Sequence, residues 1–235
     1  HVQAKELGMR IVPGCRLVFS DGTPDILAYP RDRAAWGRLC RLLTTGNRRA
    51  EKGDCILRLE DLIEHAEGLQ LILLPPRPDI GLATPTLKRL AHTRLWLGAA
   101  MRYRGDDLRH LKRLEALARE HRIPMIATND VLYHTPARRQ LQDVLTCIRE
   151  HATLERAGFH LEANAERHLK DPQEMARLFR RHPDAIAETM RFLEGCTFSL
   201  EELRYEYPEE TCEGFASPQE ALAAFTEEGA AKRYP

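Results

Sequence analysis

The sequence lacks an excess of charge of either sign and any long apolar run. Lys plus Arg and Asp plus Glu each total 35, so the formal net charge is zero. No global basic field therefore exists to hold DNA or an anionic membrane, and any contact with nucleic acid must come from a local patch. The longest apolar runs, such as LQLILLPP at 69–76, are far too short to span a bilayer.

The cysteines lack the spacing of a metal site, because no C-x-x-C pair is present. Such scattered spacing in a chain of 235 residues favours reduced thiols over a disulfide framework or a zinc site. We therefore expect the cysteines to be packing residues and the protein to be cytoplasmic. The six cysteines stand at positions 15, 40, 55, 147, 196 and 212.

The familiar catalytic motifs are also missing. The chain has no phosphate-binding loop, no G-x-G-x-x-G, no H-E-x-x-H and no G-x-S-x-G. Ten histidines remain as candidate metal ligands, but only His92 and His134 lie near the ends of predicted strands. Six other histidines lie in polar helical patterns, where a solvated surface role is expected: His65, His110, His121, His151, His168 and His182.

The amino-terminal part predicts a hairpin and a helix. The β-rich runs 9–19 and 24–30 are joined by SDGT, which is typical of a tight turn between antiparallel strands. The pattern of 32–46 predicts a helix with Gly46 beyond its end. The loop NRRAEKGDC at 47–55 follows, and its basic side chains are candidates for phosphate contact with nucleic acid: Arg48, Arg49 and Lys52.

Strand and helix patterns then alternate. LQLILLP at 69–75, TRLWLGAAM at 93–101 and IPMIATND at 123–130 read as buried strands, and the amphipathic pattern of 105–122 predicts a helix. This α/β alternation predicts a parallel sheet or barrel with ligands at the carboxyl ends of its strands. Asp130 stands at such an end.

The character changes to helices from residue 136 onward, with proline near several predicted helix starts. We therefore predict three parts: an α/β part at 1–135, a helical extension at 136–198, and an acidic, aromatic linker at 199–235. The opening HVQAKELGMR reads as the back half of a helix, so the chain is expected to be truncated at its start.

Several blocks resemble one family. IVPGCRLVFSDGT, ILAYPRDRAAWGRLCRLLTTGNRRAEKG, IATNDVLYH, RRQLQDVLTCIREH, LEANAERHLKDPQEMARLF and FSLEELRYEYPEE are similar to the polymerase-and-histidinol-phosphatase (PHP) domain of bacterial C-family DNA polymerases, in the error-prone, damage-inducible branch. The resemblance implies a distorted (β/α)7 barrel with metal ligands at strand ends. The family's opening H-x-H and Asp-His pair are missing here, so the barrel is expected to be incomplete.

The resemblance also implies that the ligands of the family's metal site are largely replaced. Arg16 stands where metal-competent relatives have glutamate, Gly98 stands near a later glutamate, and Leu132 takes the place of the closing histidine. Asp25, at a position that is usually histidine, and Asp130 survive as relic ligand positions. His134 lies two residues past Leu132, but a turn predicted at YHTP would take it off the strand face.

The resemblance implies a function for a longer parent polymerase. That parent would perform template-directed synthesis from DNA and dNTPs, with Mg²⁺ held by its palm outside this chain, and would work with other components of damage-tolerant DNA synthesis. We expect this segment to be a metal-free structural domain without catalytic residues. Two alternatives stay open: a metal-dependent phosphoesterase or 3′–5′ proofreading exonuclease, and a module that recruits partners.

Overall fold

The centre of the fold is a five-stranded sheet in the order β1-β2-β3-β4-β5. A computed structural model describes residues 1–77, 79–204, 212 and 214–234. The five strands are β1 at Cys15–Leu17, β2 at Ile26–Pro30, β3 at Leu69–Leu73, β4 at Arg94–Ala100 and β5 at Met125–Thr128.

The sheet is mixed. β1 pairs with β2 and β2 with β3 in antiparallel fashion, whereas β3, β4 and β5 are parallel. The α/β class and the predicted hairpin are confirmed, and the parallel pairing expected of the later strands is found for β3, β4 and β5. The turn is held by Asp21, whose carboxylate accepts from the amide of Thr23 at 3.1 Å. The (β/α)7 barrel stays a prediction.

Helices occupy most of the remaining chain, and side chains cap several of them. Asp32 accepts from the amide of Ala35 at 2.8 Å, and Asp171 caps its helix in the same way. The helices are α1 at Val2–Glu6, α2 at Arg33–Arg49, α3 at Leu59–His65, α4 at Thr84–Arg89, α5 at Asp107–His121, α6 at Arg139–Arg149, α7 at Leu154–Ala157, α8 at Pro172–Leu178, α9 at Pro183–Gly195 and α10 at Pro218–Arg233. Short 3₁₀ turns lie at Ile80–Ala83, Pro136–Arg138, Gly158–His160 and Leu200–Glu202.

The two faces of the sheet are buried in different apolar clusters, because successive strand residues point to opposite sides. On one side, leucines of β3 and β4 pack with those of α2 and α5, and each buried leucine stabilises the fold by about 1.5–3 kcal/mol. The residues of this larger cluster include Leu39, Leu42, Leu71, Leu73, Leu97, Leu111 and Leu114.

The second face is covered by α9. Phe192 packs edge-on against Trp96 with ring centroids 5.0 Å apart, and the Trp96 indole donates to Glu188 at 2.8 Å. The indole therefore has a polar partner although it is buried. This smaller cluster consists of Ile72, Trp96, Ile126, Phe192 and Cys196.

Contacts divide the chain into two units, 1–202 and 203–235. In the second unit, Ser217 caps α10 by accepting from the amide of Glu220, and the rings of Phe215 and Phe225 meet edge to face at 5.3 Å. Part of the predicted linker, 205–211, lies outside the described residues, and the predicted boundaries near 135 and 198 stay predictions. No helix in the described ranges is long and apolar enough to cross a membrane.

Helix α2 is longer than predicted, because it continues through Gly46 and ends at Arg49. The predicted end at Gly46 is therefore wrong. This glycine serves close packing: a Cβ at position 46 would lie 2.5 Å from the sulfur of Cys55 and 2.7 Å from a methyl group of Leu57. Glycine is needed at position 46 because a segment further along the chain packs against it. The local sequence pattern does not show this contact.

A pair of glycine substitutions tests this explanation. Gly46→Ala is expected to destabilise the chain by about 1–3 kcal/mol, because the added methyl overpacks against Leu57. Gly37→Ala in the same helix is the control, since nothing lies within 4 Å of its Cβ position. That change is expected to stabilise the chain by about 0.5–1 kcal/mol through helix propensity. Urea denaturation measures both, and equal effects would contradict the packing argument.

Candidate functional site

Asp130 lies just beyond the end of β5, where the backbone turns. The strand ends at Thr128, and Asp130 has a φ of +44°, in the left-handed region. This conformation is held by hydrogen bonds with a later segment: Arg167 Nε donates to the carbonyl oxygen of Asp130 at 2.8 Å, and the amide of Leu132 donates to the Arg167 carbonyl at 2.8 Å. The side chain of Asp130 is thus fixed by tertiary contacts.

Three guanidinium groups surround the Asp130 carboxylate. Arg16 approaches Oδ1 at 3.3 Å, Arg167 contacts Oδ2 at 2.6 Å, and Arg102 donates to the same Oδ2. Asp130 is 14% exposed and Arg167 10% exposed, so the ion pair between these two residues is largely shielded from solvent. Charge-assisted bonds of this kind are stronger than neutral ones, and they use both oxygens of the carboxylate.

Arg16 also binds Asp25, so it joins Asp25 to Asp130. Its Nε donates to Asp25 Oδ2 at 2.8 Å, and its Nη2 lies 2.6 Å from the same oxygen. Since β1 and β5 are the opposite edges of the sheet, a flat sheet would separate them by four spacings, about 19 Å. The Arg16 bridge to Asp130 therefore requires a strongly curved sheet.

A second ring of charges surrounds Glu162. Its carboxylate lies 2.6 Å from Arg167 and 3.0 Å from Arg104, and its carbonyl oxygen accepts from Arg139 at 2.6 Å. Burial would raise the pKa of Glu162, but the ion pairs with arginine outweigh it and hold the pKa below the usual 4.5. We call the whole set the arginine-carboxylate cluster: Arg16, Arg102, Arg104 and Arg167 with Asp25, Asp130 and Glu162.

The other positions at which the resemblance implies lost ligands offer no replacement. A Cβ at Gly98 would lie 2.8 Å from a methyl group of Leu74, so the packing leaves no room for a longer side chain without rearrangement. β5 ends before Leu132 and His134, so neither residue continues the face of the strand. The side chain of His134 is exposed.

A divalent cation does not fit the arginine-carboxylate cluster. Within the described ranges, no group of three or more His, Cys, Asp or Glu side chains could hold a metal ion. Both Asp130 oxygens are engaged by guanidinium groups, and bringing a dication beside these fixed positive charges would be opposed by repulsion. The arrangement can neutralise and fix charges, but it lacks the open ligand positions that metal-assisted hydrolysis requires.

A cavity of about 420 Å³ adjoins the cluster and is lined in part by Arg77 and His110. The expectation that His110 is a solvated surface residue is wrong, because it is only 7% exposed. The reason is its place on the buried face of α5, one turn before Leu114. Burial lowers the pKa of His110 from 6.5 to about 4, and the charge of Arg77 acts in the same direction.

The three basic residues of the predicted nucleic-acid patch have different environments. Arg49 makes a two-pronged ion pair with Asp61 at 2.5 and 2.7 Å, which holds the pKa of Asp61 below its usual value. Arg48 belongs to the last turn of α2, and Lys52 lies in the loop that follows; both are exposed. Contact of this patch with nucleic acid stays a prediction.

Sequence reasoning identified Asp25, Asp130 and Arg16 but missed Arg102 and Arg167. Arg102 follows the carboxyl end of β4, as Asp130 follows the carboxyl end of the neighbouring strand β5. The order of strands in the sequence could have indicated that the two residues lie close together. Arg167 comes from an irregular segment before α8, and no local pattern marks it. Its role depends on where the tertiary fold places that segment.

Curated proteins with similar sequences bear the name error-prone DNA polymerase. The protein from Rhodopseudomonas palustris (strain BisB5) is 54% identical over 230 residues, which covers 96% of this chain and 21% of that protein. The protein from Sinorhizobium medicae (strain WSM419) is 52% identical over 240 residues, with 100% and 21% covered. The chain thus spans about one fifth of the length of these relatives. No protein-family model matches the chain.

The cluster predicts a large difference between its two aspartates. Asp130→Asn is expected to destabilise the chain by about 3 kcal/mol, because it leaves shielded guanidinium groups without their counter-charge. Asp25→Asn is the matched control and is expected to cost about 1 kcal/mol or less, since its single partner Arg16 is 44% exposed. Chemical denaturation measures both, and a larger loss for Asp25→Asn would contradict the arrangement.

His110 predicts a pH dependence of stability. The unfolded chain protonates this imidazole near pH 6.5, whereas the folded chain does so only near pH 4. The free energy of unfolding should therefore fall between pH 7 and pH 5, by at most about 2 kcal/mol from this group. His110→Leu should flatten this part of the profile. Identical profiles for wild type and His110→Leu would be evidence against the argument.

Proposed function

We propose that this chain is the PHP-type segment of an error-prone DNA polymerase and that it serves as a metal-free scaffold. Similarity to a region that makes up about one fifth of the length of proteins bearing that name supports the parentage. The observation that carries the scaffold role is the Asp130 carboxylate, whose two oxygens are occupied by Arg16, Arg102 and Arg167.

The cluster supports a structural role through the elements that it ties together. Its members come from β1, from the residues that follow β4 and β5, and from the segment before α8. Ion pairs among shielded arginines and carboxylates have strict geometric requirements, so they favour one arrangement of these segments. A rigid strand-end surface of this kind suits a domain that orients neighbouring parts of a large enzyme.

The parent polymerase would supply the chemistry elsewhere. In this proposal it joins dNTPs to a primer on a DNA template, with Mg²⁺ bound by carboxylates of its palm, in the bacterial cytoplasm. The residues of the present chain touch none of the reacting atoms. Its contribution is to hold the fold in which the catalytic part works, together with partners of damage-tolerant synthesis.

Metal and activity measurements on the full-length polymerase test this proposal. We expect Mg²⁺-dependent primer extension, no stoichiometric zinc or manganese bound after dialysis, and no change in metal content in Asp130→Ala. The variant should lower the midpoint of thermal unfolding while the extension rate per folded molecule is retained, because Asp130 acts on stability only. Asp79→Ala is the control, since Asp79 caps a surface turn at Gly81.

Two outcomes would contradict the proposal in different ways. Stoichiometric zinc or manganese that disappears in Asp130→Ala, together with hydrolysis of phosphate esters or primer ends, would support the metal-dependent phosphoesterase or exonuclease instead. Absence of primer extension by the full-length protein would overturn the polymerase parentage.

A further inference from the structure

Helix α6 exposes its apolar side, which reverses the usual arrangement of an amphipathic helix. Four large apolar residues at helical spacing form one stripe, and all are well exposed: Leu141 at 53%, Val144 at 42%, Leu145 at 51% and Ile148 at 65%. We call these four residues the α6 apolar stripe. Single exposed leucines are common on surfaces, but four on one face mark a contact site.

The opposite side of α6 is polar and turned inward. Gln142, Asp143 and Thr146 line a cavity of about 380 Å³, together with Glu162 and Arg167 of the arginine-carboxylate cluster. Polar side chains are the ones that can face this charged cluster without loss of hydrogen bonds. The cluster thus explains why α6 turns its apolar residues outward.

The elements after α6 extend the exposed apolar surface. α7 packs against α6 and carries Leu154, which is 52% exposed, and Phe159 in the next turn is fully exposed. His160 in the same turn lies 3.8 Å from Glu150, the residue that follows α6. Apolar exposure is therefore concentrated on two successive elements of the chain.

The composition of the stripe favours a permanent partner over a transient one. Its four aliphatic side chains are adjacent on one face of α6, and obligate interfaces are more hydrophobic than transient ones. Transient surfaces are more polar, since they must also be stable when free.

We propose that the α6 apolar stripe is covered by an apolar surface of the parent polymerase's own polypeptide, from the part outside this chain. This inference rests on the proposed function. The relatives provide such a partner, because about four fifths of their length lies outside the matched region. A partner on the same polypeptide is present at high effective concentration, which suits an uncharged permanent contact.

Photo-crosslinking in the full-length polymerase tests the proposal. Benzoylphenylalanine is placed at position 145 in the stripe or, as the control, at position 108, where Leu108 of α5 is an exposed leucine outside the stripe. We expect position 145 to give several-fold more cross-link than position 108, joined to a peptide of the same polypeptide outside the matched fifth. Mass spectrometry identifies the peptide, and mixing isotope-labelled with unlabelled protein distinguishes contacts within one molecule from contacts between copies.

Several results would overturn the inference. A cross-link to a second copy would assign the stripe to a dimer, one to a separate protein would assign it to recruitment, and the absence of any cross-link would leave α6 solvated. These results test the inference and leave the proposed function untouched, because primer extension by the unmodified polymerase tests the proposed function separately.

A charge placed in the stripe gives an independent readout. Leu145→Asp in the full-length polymerase should lower the midpoint of thermal unfolding and increase cleavage by proteases, since it buries a charge in the contact. Gln140→Asp is the matched control, because position 140 is exposed on the same helix outside the stripe. Equal behaviour of the two variants would overturn the inference.

Discussion

Asp130 and the three guanidinium groups around it hold together parts of the chain that the sheet alone would leave apart. Arg16 belongs to one edge of the sheet, whereas Asp130 follows the strand at the other edge. Arg102 and Arg167 complete the set from the ends of β4 and from the segment before α8. The curvature of the sheet and the left-handed turn at Asp130 both accompany these contacts, so the site and the shape of the sheet depend on each other.

The cluster also sets the character of its surroundings. Its charges require polar neighbours, and the inward side of α6 supplies them through Gln142, Asp143 and Thr146. The apolar residues of α6 therefore lie on its solvent-exposed side. The charges at the strand ends thereby determine which side of α6 is exposed.

Packing at Gly98 leaves no space for a metal-binding side chain on this strand. Gly98 is enclosed by Leu74 and Ile72, so a carboxylate side chain there would require the second core to open. Arg16 links Asp25 to Asp130 through ion pairs. Packing at Gly98 and charge pairing at Arg16 therefore both oppose a metal ion at these strand ends.

The sequence by itself determined the α/β class, the hairpin and most helices, and the resemblance singled out Arg16, Asp25 and Asp130. These follow from local periodicity, turn chemistry and resemblance, all of which a linear sequence records. Only the tertiary structure decided the mixed strand directions, the continuation of α2 through Gly46, the burial of His110 and the recruitment of Arg167. Each of these depends on contacts between segments distant in sequence, because packing and charge pairing act through space and leave no local pattern.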